Sequence, residues 1–133
     1  MSGITDLNEL LKSMEPALIE SEFVFCTVSG ALGDYVSLNP VAIFVETEGL
    51  TLVLEKSIAQ NAALEFEGVF RQITLTVHSS LDAVGLTAAV ATKLADKGIS
   101  ANVIAAYYHD HIFVQSSKAE LALSALQEFK VKD

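Results

Sequence analysis

Residues 79–115 read SSLDAVGLTAAVATKLADKGISANVIAAYYHDHIFVQ, and this stretch limits the fold more than any other. A strand ends, a glycine turn follows, and a helix begins. From Asp82 to Lys97 the residues Val84, Ala88, Ala91, Leu94 and Ala95 recur at helical spacing, with Lys93 and Lys97 near the C-terminal end and Gly98 as the stop. Two apolar runs, 102–108 and 111–115, then predict a pair of strands meeting at a tight turn.

The rest of the chain supplies elements of the same kind. Leu7, Leu10, Leu11 and Met14 predict a helix near 6–14, capped by Thr5 or Asp6 and ended before Pro16. The Phe- and Val-rich segment 22–28 reads as a strand, and Gly30, Gly33, Asp34 and Asn39 mark the loop after it. Runs at 41–45 and 50–54, separated by Glu46, Thr47, Glu48 and Gly49, form a hairpin pattern. A short helix at 57–65, a strand at 73–77 and a last helix at 118–129, with Leu121, Leu123 and Leu126 inward, complete the order αβββαβαββα.

That order approaches two ferredoxin-like βαββαβ units, with antiparallel sheets covered by helices on one face in an α+β fold. Two full copies need eight strands, whereas six are evident and 129–132 is a doubtful seventh. The second unit, from about Val69, therefore lacks a secure closing strand. An open edge exposes unpaired backbone groups, so a strand from the N-terminal half or from a partner chain is expected beside it. The halves are expected to interlock, because no linker of Pro, Gly or Ser separates them.

Charge narrows the function. Eight Lys and Arg stand against seventeen Asp and Glu, a net charge of −9, and no basic run is present to neutralise phosphates. Nucleic acid and anionic membrane surfaces are excluded as partners, and no apolar run approaches the roughly 20 residues of a bilayer span. The N-terminal MSGITDLNELLKSMEP does not read as a secretory signal, so a cytoplasmic location is expected. Cys26 is the one cysteine and reads as a buried structural thiol, with no disulfide or thiolate cluster within a chain. With 51% apolar residues in a short chain, association into a homodimer or a higher homo-oligomer is expected.

In a ferredoxin-like unit the first and third strands are antiparallel neighbours, which brings His78, Ser79, Ser80, Leu81, Asp82 and Gly85 toward Tyr107, Tyr108, His109, Asp110 and His111. Backbone amides at a helix N-terminus can receive a carboxylate, and Asp110 can accept from an ammonium group, so the arrangement suits a small zwitterion. The structural alternative is that Gly85 only lets the helix pack closely and Asp82 only caps it. His109 and His111, two apart, could share a face as metal ligands with His78 as a third nitrogen. A catalytic Ser80, His78 and Asp110 set finds little support, since no nucleophile elbow, phosphate loop or HExxH motif accompanies it. Glu46 and Glu48 could face the Gly85 loop across a crevice if the halves pack side by side, or could simply be solvated.

The runs Leu81-Asp-Ala-Val-Gly-Leu-Thr, Leu94-Ala-Asp-Lys-Gly-Ile and His109-Asp-His-Ile resemble the ACT domain, whose Asp-x-x-Gly turn opens its first helix. The N-terminal half, through Phe44-Val-Glu-Thr-Glu-Gly-Leu-Thr, resembles the first unit of small bacterial tandem ACT proteins. That tandem kind is similar to the regulatory domains of aspartate kinases and to cytosolic arginine sensors. The resemblance implies two units, 1–68 and 69–133, in a non-catalytic regulatory protein that binds a small amino acid at the inter-unit or subunit interface, without a cofactor, and answers to a target protein not yet identified. It further implies that Ser79, Ser80, Leu81, Asp82, Val84, Gly85 and Leu86 form the ligand loop. Asp110, in the turn with Tyr108 and His109, would hold the amine, and Glu48 would face the site. The alternatives are a ligand-free protein–protein interaction module and a metal-binding protein using His78, His109 and His111.

Overall fold

The computed structural model describes residues 6–77 and 85–130. Its helices and strands follow in the order α1 (Leu7–Ser13), β1 (Pro16–Val28), β2 (Ala42–Glu46), β3 (Gly49–Glu55), α2 (Lys56–Asn61), β4 (Phe70–Leu75), α3 (Leu86–Asp96), β5 (Asn102–Ala105), β6 (Asp110–Gln115) and α4 (Ala119–Gln127). The fold is α+β, and its element order is the one the sequence predicts. The chain divides into two compact units: residues 21–70, and the residues up to Glu20 together with those from Arg71 onward. Strand β1 contributes to both. The N-terminal segment thus gives α1 and the first part of β1 to the C-terminal unit.

In the N-terminal unit the strand order is β2-β3-β1. Strand β1 pairs antiparallel with β3 from Phe23 opposite Glu55 to Val28 opposite Leu50, and β2 pairs antiparallel with β3 from Ala42 opposite Val53 to Glu46 opposite Gly49. The hairpin turn is therefore the two residues Thr47 and Glu48. Gly49 is required beside it, because a Cβ there would lie 2.9 Å from the Val28 carbonyl oxygen. Alternate residues Val24 and Cys26 on β1, and Leu52 and Leu54 on β3, point to one face, where Ala59 of α2 seals a core. Burial of each such aliphatic side chain stabilises the unit by about 1.5–3 kcal/mol. After β1 the chain makes two 3₁₀ turns, Leu32–Asp34 and Val36–Leu38, rather than an α-helix.

In the C-terminal unit the order is β1-β4-β6-β5, and β5 and β6 form an antiparallel hairpin from Asn102 opposite Phe113 to Ala105 opposite Asp110. Ile73 and Leu75 of β4 and Ile112 and Val114 of β6 face a core closed by Leu10 and Met14, by Val90 and Leu94 of α3, and by Ala122 and Leu126 of α4. Helix α1 starts where the Asp6 carboxylate accepts from the Glu9 amide at 3.0 Å. Helix α3 stops in a Schellman motif, with the Gly98 amide donating to Ala95 O and the Ile99 amide to Leu94 O, both at 2.9 Å, and Gly98 at φ +75°.

Several boundaries differ from the sequence expectation. The strand expected at 102–108 ends at Ala105, and the helix expected at 57–65 ends at Asn61. Residues 128–130 continue helical turning through Phe129 N to Leu126 O and Lys130 N to Gln127 O, and 131–133 lie outside the described residues. Leu121, expected inward, is half exposed, because the small Ala119, Ala122 and Ala125 turn toward the core and let α4 approach the sheet. On α3 the buried stripe is Leu86, Val90 and Leu94, with Ala88 and Ala95 outside. Three large side chains four apart outweigh alanines in setting which face turns in.

Candidate functional site

Strand β4 leads out of the sheet and α3 brings the chain back, and the β5–β6 turn lies beside the point of exit. His111 Nδ1 on β6 is 3.0 Å from Thr74 Oγ1 and 3.3 Å from Gln72 Nε2 on β4, which ties the start of β6 to the C-terminal end of β4. Strand alternation then sorts the side chains. His111 shares a face with Thr74 and Gln72, whereas Asp110 lies on the parity of Ile112 and Val114, the face that carries α3. Asp110 and the start of α3 are thus at one end of the sheet and on the same side of it.

Gly85 occupies the N-cap position of α3 with φ +100°, and a Cβ there would come 3.0 Å from Leu7 Cδ2 of α1. The left-handed conformation and the tight approach both favour glycine. The Ala89 amide donates to Gly85 O at 2.8 Å, which starts the helical ladder and aims the first-turn amides of Leu86, Thr87 and Ala88 outward along the axis. N–H groups and a dipole end of this kind are chemically able to receive a carboxylate. The Leu86 side chain is buried in the core, so its backbone is what it can offer a ligand.

Asp110 is the acidic residue that begins β6. Burial raises its carboxyl pKa, and His111 and His109 nearby partly offset that rise. Burial therefore disfavours the charged form of this half-buried carboxyl group. His111 is shifted the other way: burial lowers its pKa, His109 lowers it further, and Asp110 opposes both. A neutral ring agrees with that direction, its Nδ1 lying within hydrogen-bond reach of the Thr74 hydroxyl and the Gln72 amide.

His109 closes the hairpin, its carbonyl accepting from the Ala106 amide at 3.0 Å, and its buried Nδ1 has no hydrogen-bond partner among the described residues. The rings of His109 and His111 are 6.5 Å apart and nearly perpendicular. Among the described residues no group of three His, Cys, Asp or Glu side chains is placed to hold a metal ion, and His78 lies outside them. Tyr107 and Tyr108 form the exposed hairpin tip, stacked edge to face at 5.0 Å. Ser79, Ser80, Leu81, Asp82 and Val84 also lie outside the described residues. Glu48 is exposed in the β2–β3 turn of the other unit, while Glu46 ends β2 and accepts from the Thr51 hydroxyl. The two glutamates differ in setting, one in the ladder and one in the turn.

Two ACT-domain family models match the chain, one over residues 2–71 and one over residues 67–128. No curated protein matches it by sequence. Among solved structures, a Vibrio cholerae protein of unknown function, called a possible transport protein, is 65% identical over 97% of this chain and 99% of its own, with a TM-score of 0.88. The ligand-free regulatory subunit of aspartate kinase from Thermus thermophilus is similar in fold, with 12% identity over 85% of this chain and 95% of that one and a TM-score of 0.59. Escherichia coli aspartokinase III, solved with aspartate and ADP, superposes with a TM-score of 0.65 at 14% identity, over 88% of this chain and 33% of that one. Among the described residues no helix is long and apolar enough to cross a membrane.

Proposed function

Because the chain belongs to the ACT-domain family, whose domains are regulatory modules rather than catalysts, we propose that it is an amino-acid-responsive regulator. It binds a small amino acid at the loop that opens α3 and passes the bound state to a partner protein. What supports this reading is that the first-turn amides of α3 and the half-buried Asp110 belong to one unit, with Asp110 on the strand face that packs against α3. The N-terminus of α3, turned by Gly85, suits the ligand carboxylate, and Asp110 suits its ammonium group. Ser79, Ser80, Leu81, Asp82 and Val84, with Tyr108 and His109, are further ligand contacts in this proposal.

The reading includes self-association in the cytoplasm. Strand β2 ends the sheet order, and its Phe44 and Val45 are 69% and 71% exposed on opposite faces of the strand. An edge carrying large apolar side chains and no lysine is poorly protected against pairing with another chain. Sedimentation at micromolar protein should give a species heavier than 14.2 kDa, and Phe44→Glu should return it toward that mass.

Calorimetry across the twenty common amino acids tests the ligand reading. At least one should bind with one site per chain and raise Tm at saturation, since ligand at 100 times Kd adds about 2.7 kcal/mol to the folded state. If none binds at millimolar concentration while the chain remains an oligomer, the ligand-free interaction module replaces this reading.

A further inference from the structure

The N-terminal unit contains a feature that the amino-acid site does not use. An open groove of about 880 Å³ runs between β1 and the segment that joins α2 to β4. Its floor is aromatic: the rings of Phe25 and Phe70 meet edge to face, with centroids 5.3 Å apart and planes at 71°. Gly68 lies close to the Phe70 ring, since a Cβ at position 68 would come within 3.2 Å of it. The joining segment alternates, with Leu64 and Phe66 packed against the core of the unit and Glu65 and Glu67 exposed along the rim. Thr51 also lines it, its hydroxyl donating to the Glu46 carboxylate.

The chemistry of this lining is one-sided. It includes the rings of Phe25, Phe66 and Phe70 and the carboxylates of Glu65 and Glu67, and no Lys, Arg or His is among the described residues that form it. A ligand carboxylate would meet like charge, whereas an alkylammonium group finds ring faces that attract cations and carboxylates that neutralise them. The volume lies in the range of small-molecule sites. We propose that this groove is a second ligand site, which takes an organic ammonium ion joined to a small apolar group and bearing no carboxylate. Its preference is opposite to that of the α3 site, where a carboxylate is wanted.

Phenethylamine, phenylalanine and 3-phenylpropionate share a skeleton and differ in charge, so titrating the full chain with each by calorimetry and ¹⁵N NMR separates the cases. Phenethylamine should bind at one site per chain, shift the amides of Phe25, Phe66 and Phe70, and exceed 3-phenylpropionate by at least about tenfold in affinity. The double variant Glu65→Gln, Glu67→Gln changes exposed residues and should weaken phenethylamine by about threefold to tenfold, as should Phe70→Leu, which keeps the apolar volume and removes the ring. Asp110→Asn should leave phenethylamine binding unchanged, which separates this groove from the amino-acid site. Equal affinity for the amine and the acid overturns the proposal, as does the absence of shifts at these three amides, or amine binding that both sets of variants leave intact.

Discussion

A glycine in the left-handed region lies between β1 and the turns that follow it, Gly30 at φ +108°, and another opens α3 after β4, Gly85 at φ +100°, but the chain then takes different paths. After Gly85 the chain enters the eleven-residue α3, which buries Leu86, Val90 and Leu94. After Gly30 it makes two 3₁₀ turns that leave Leu32 and Val36 45% and 59% exposed. The backbone there is occupied locally, with the Ala31 amide donating to Asp34 Oδ2 at 3.3 Å and the Tyr35 hydroxyl to Ser29 O. The same turn residue therefore does different work according to the periodicity behind it. Leu86, Val90 and Leu94 hold a helix against the sheet over successive turns, whereas Leu32 and Val36 stay exposed while Tyr35 and Leu38 of the same segment pack against the core.

The contrast can be broken most forcefully at the helix itself. Leu94→Ala, at a fully buried position, should cost about 2–5 kcal/mol in urea unfolding, whereas Val36→Ala should stay within about 0.5 kcal/mol. Similar losses at the two positions would mean that the 3₁₀ segment is as structural as α3. A smaller effect is expected at the glycines. Gly85→Ala forces a Cβ into the left-handed region and against Leu7 and should cost about 1–2 kcal/mol, while Gly33, with open space around its Cβ position, should accept alanine with little change.

The smallest effect is one of pH. The folded pKa of His111 lies below its ordinary value of 6.5, so the unfolded chain takes up that proton first on acidification. The contribution of His111 is fully present above pH 6.5 and is lost as pH falls through that value toward the lowered folded pKa. Asp110 has the opposite sign, because its folded pKa is raised: it costs stability at neutral pH, and the cost is relieved as pH falls and the carboxyl protonates. Replacing His111 by Gln should flatten the fall in Tm between pH 7.5 and pH 5.5, and an unchanged slope would show that another group governs it.

The sequence carried the element order because each element has a local signature: the Asp6 cap, the Gly98 stop, the Gly49 hairpin. It did not reveal that β1 begins at Pro16, since 16–21 mixes Pro, Ala, Glu and Ser with Leu and Ile and shows no clean alternation. Strand pairing of that segment is a long-range matter, with the Thr76 amide and hydroxyl both donating to Glu15 O. Gly85 and Asp110 stand out in the sequence because both have positional meaning within a ferredoxin-like unit. The face on which Asp110 falls needed the register set by Thr74 and His111. The aromatic groove was not legible, since Phe25 and Phe70 look like ordinary strand residues until the fold brings two rings 45 positions apart to a centroid distance of 5.3 Å.

The central claim is that a carboxylate costly to the empty protein is kept at position 110 for a ligand's amine. Thermal unfolding of the wild type and of Asp110→Asn at pH 7.5, each alone and with the amino acid that calorimetry identifies, tests it directly. The account predicts that the empty variant melts at or above the wild-type temperature and that the rise seen with ligand in the wild type is lost in the variant. A variant that melts lower when empty, or that keeps the full ligand-induced rise, would contradict it.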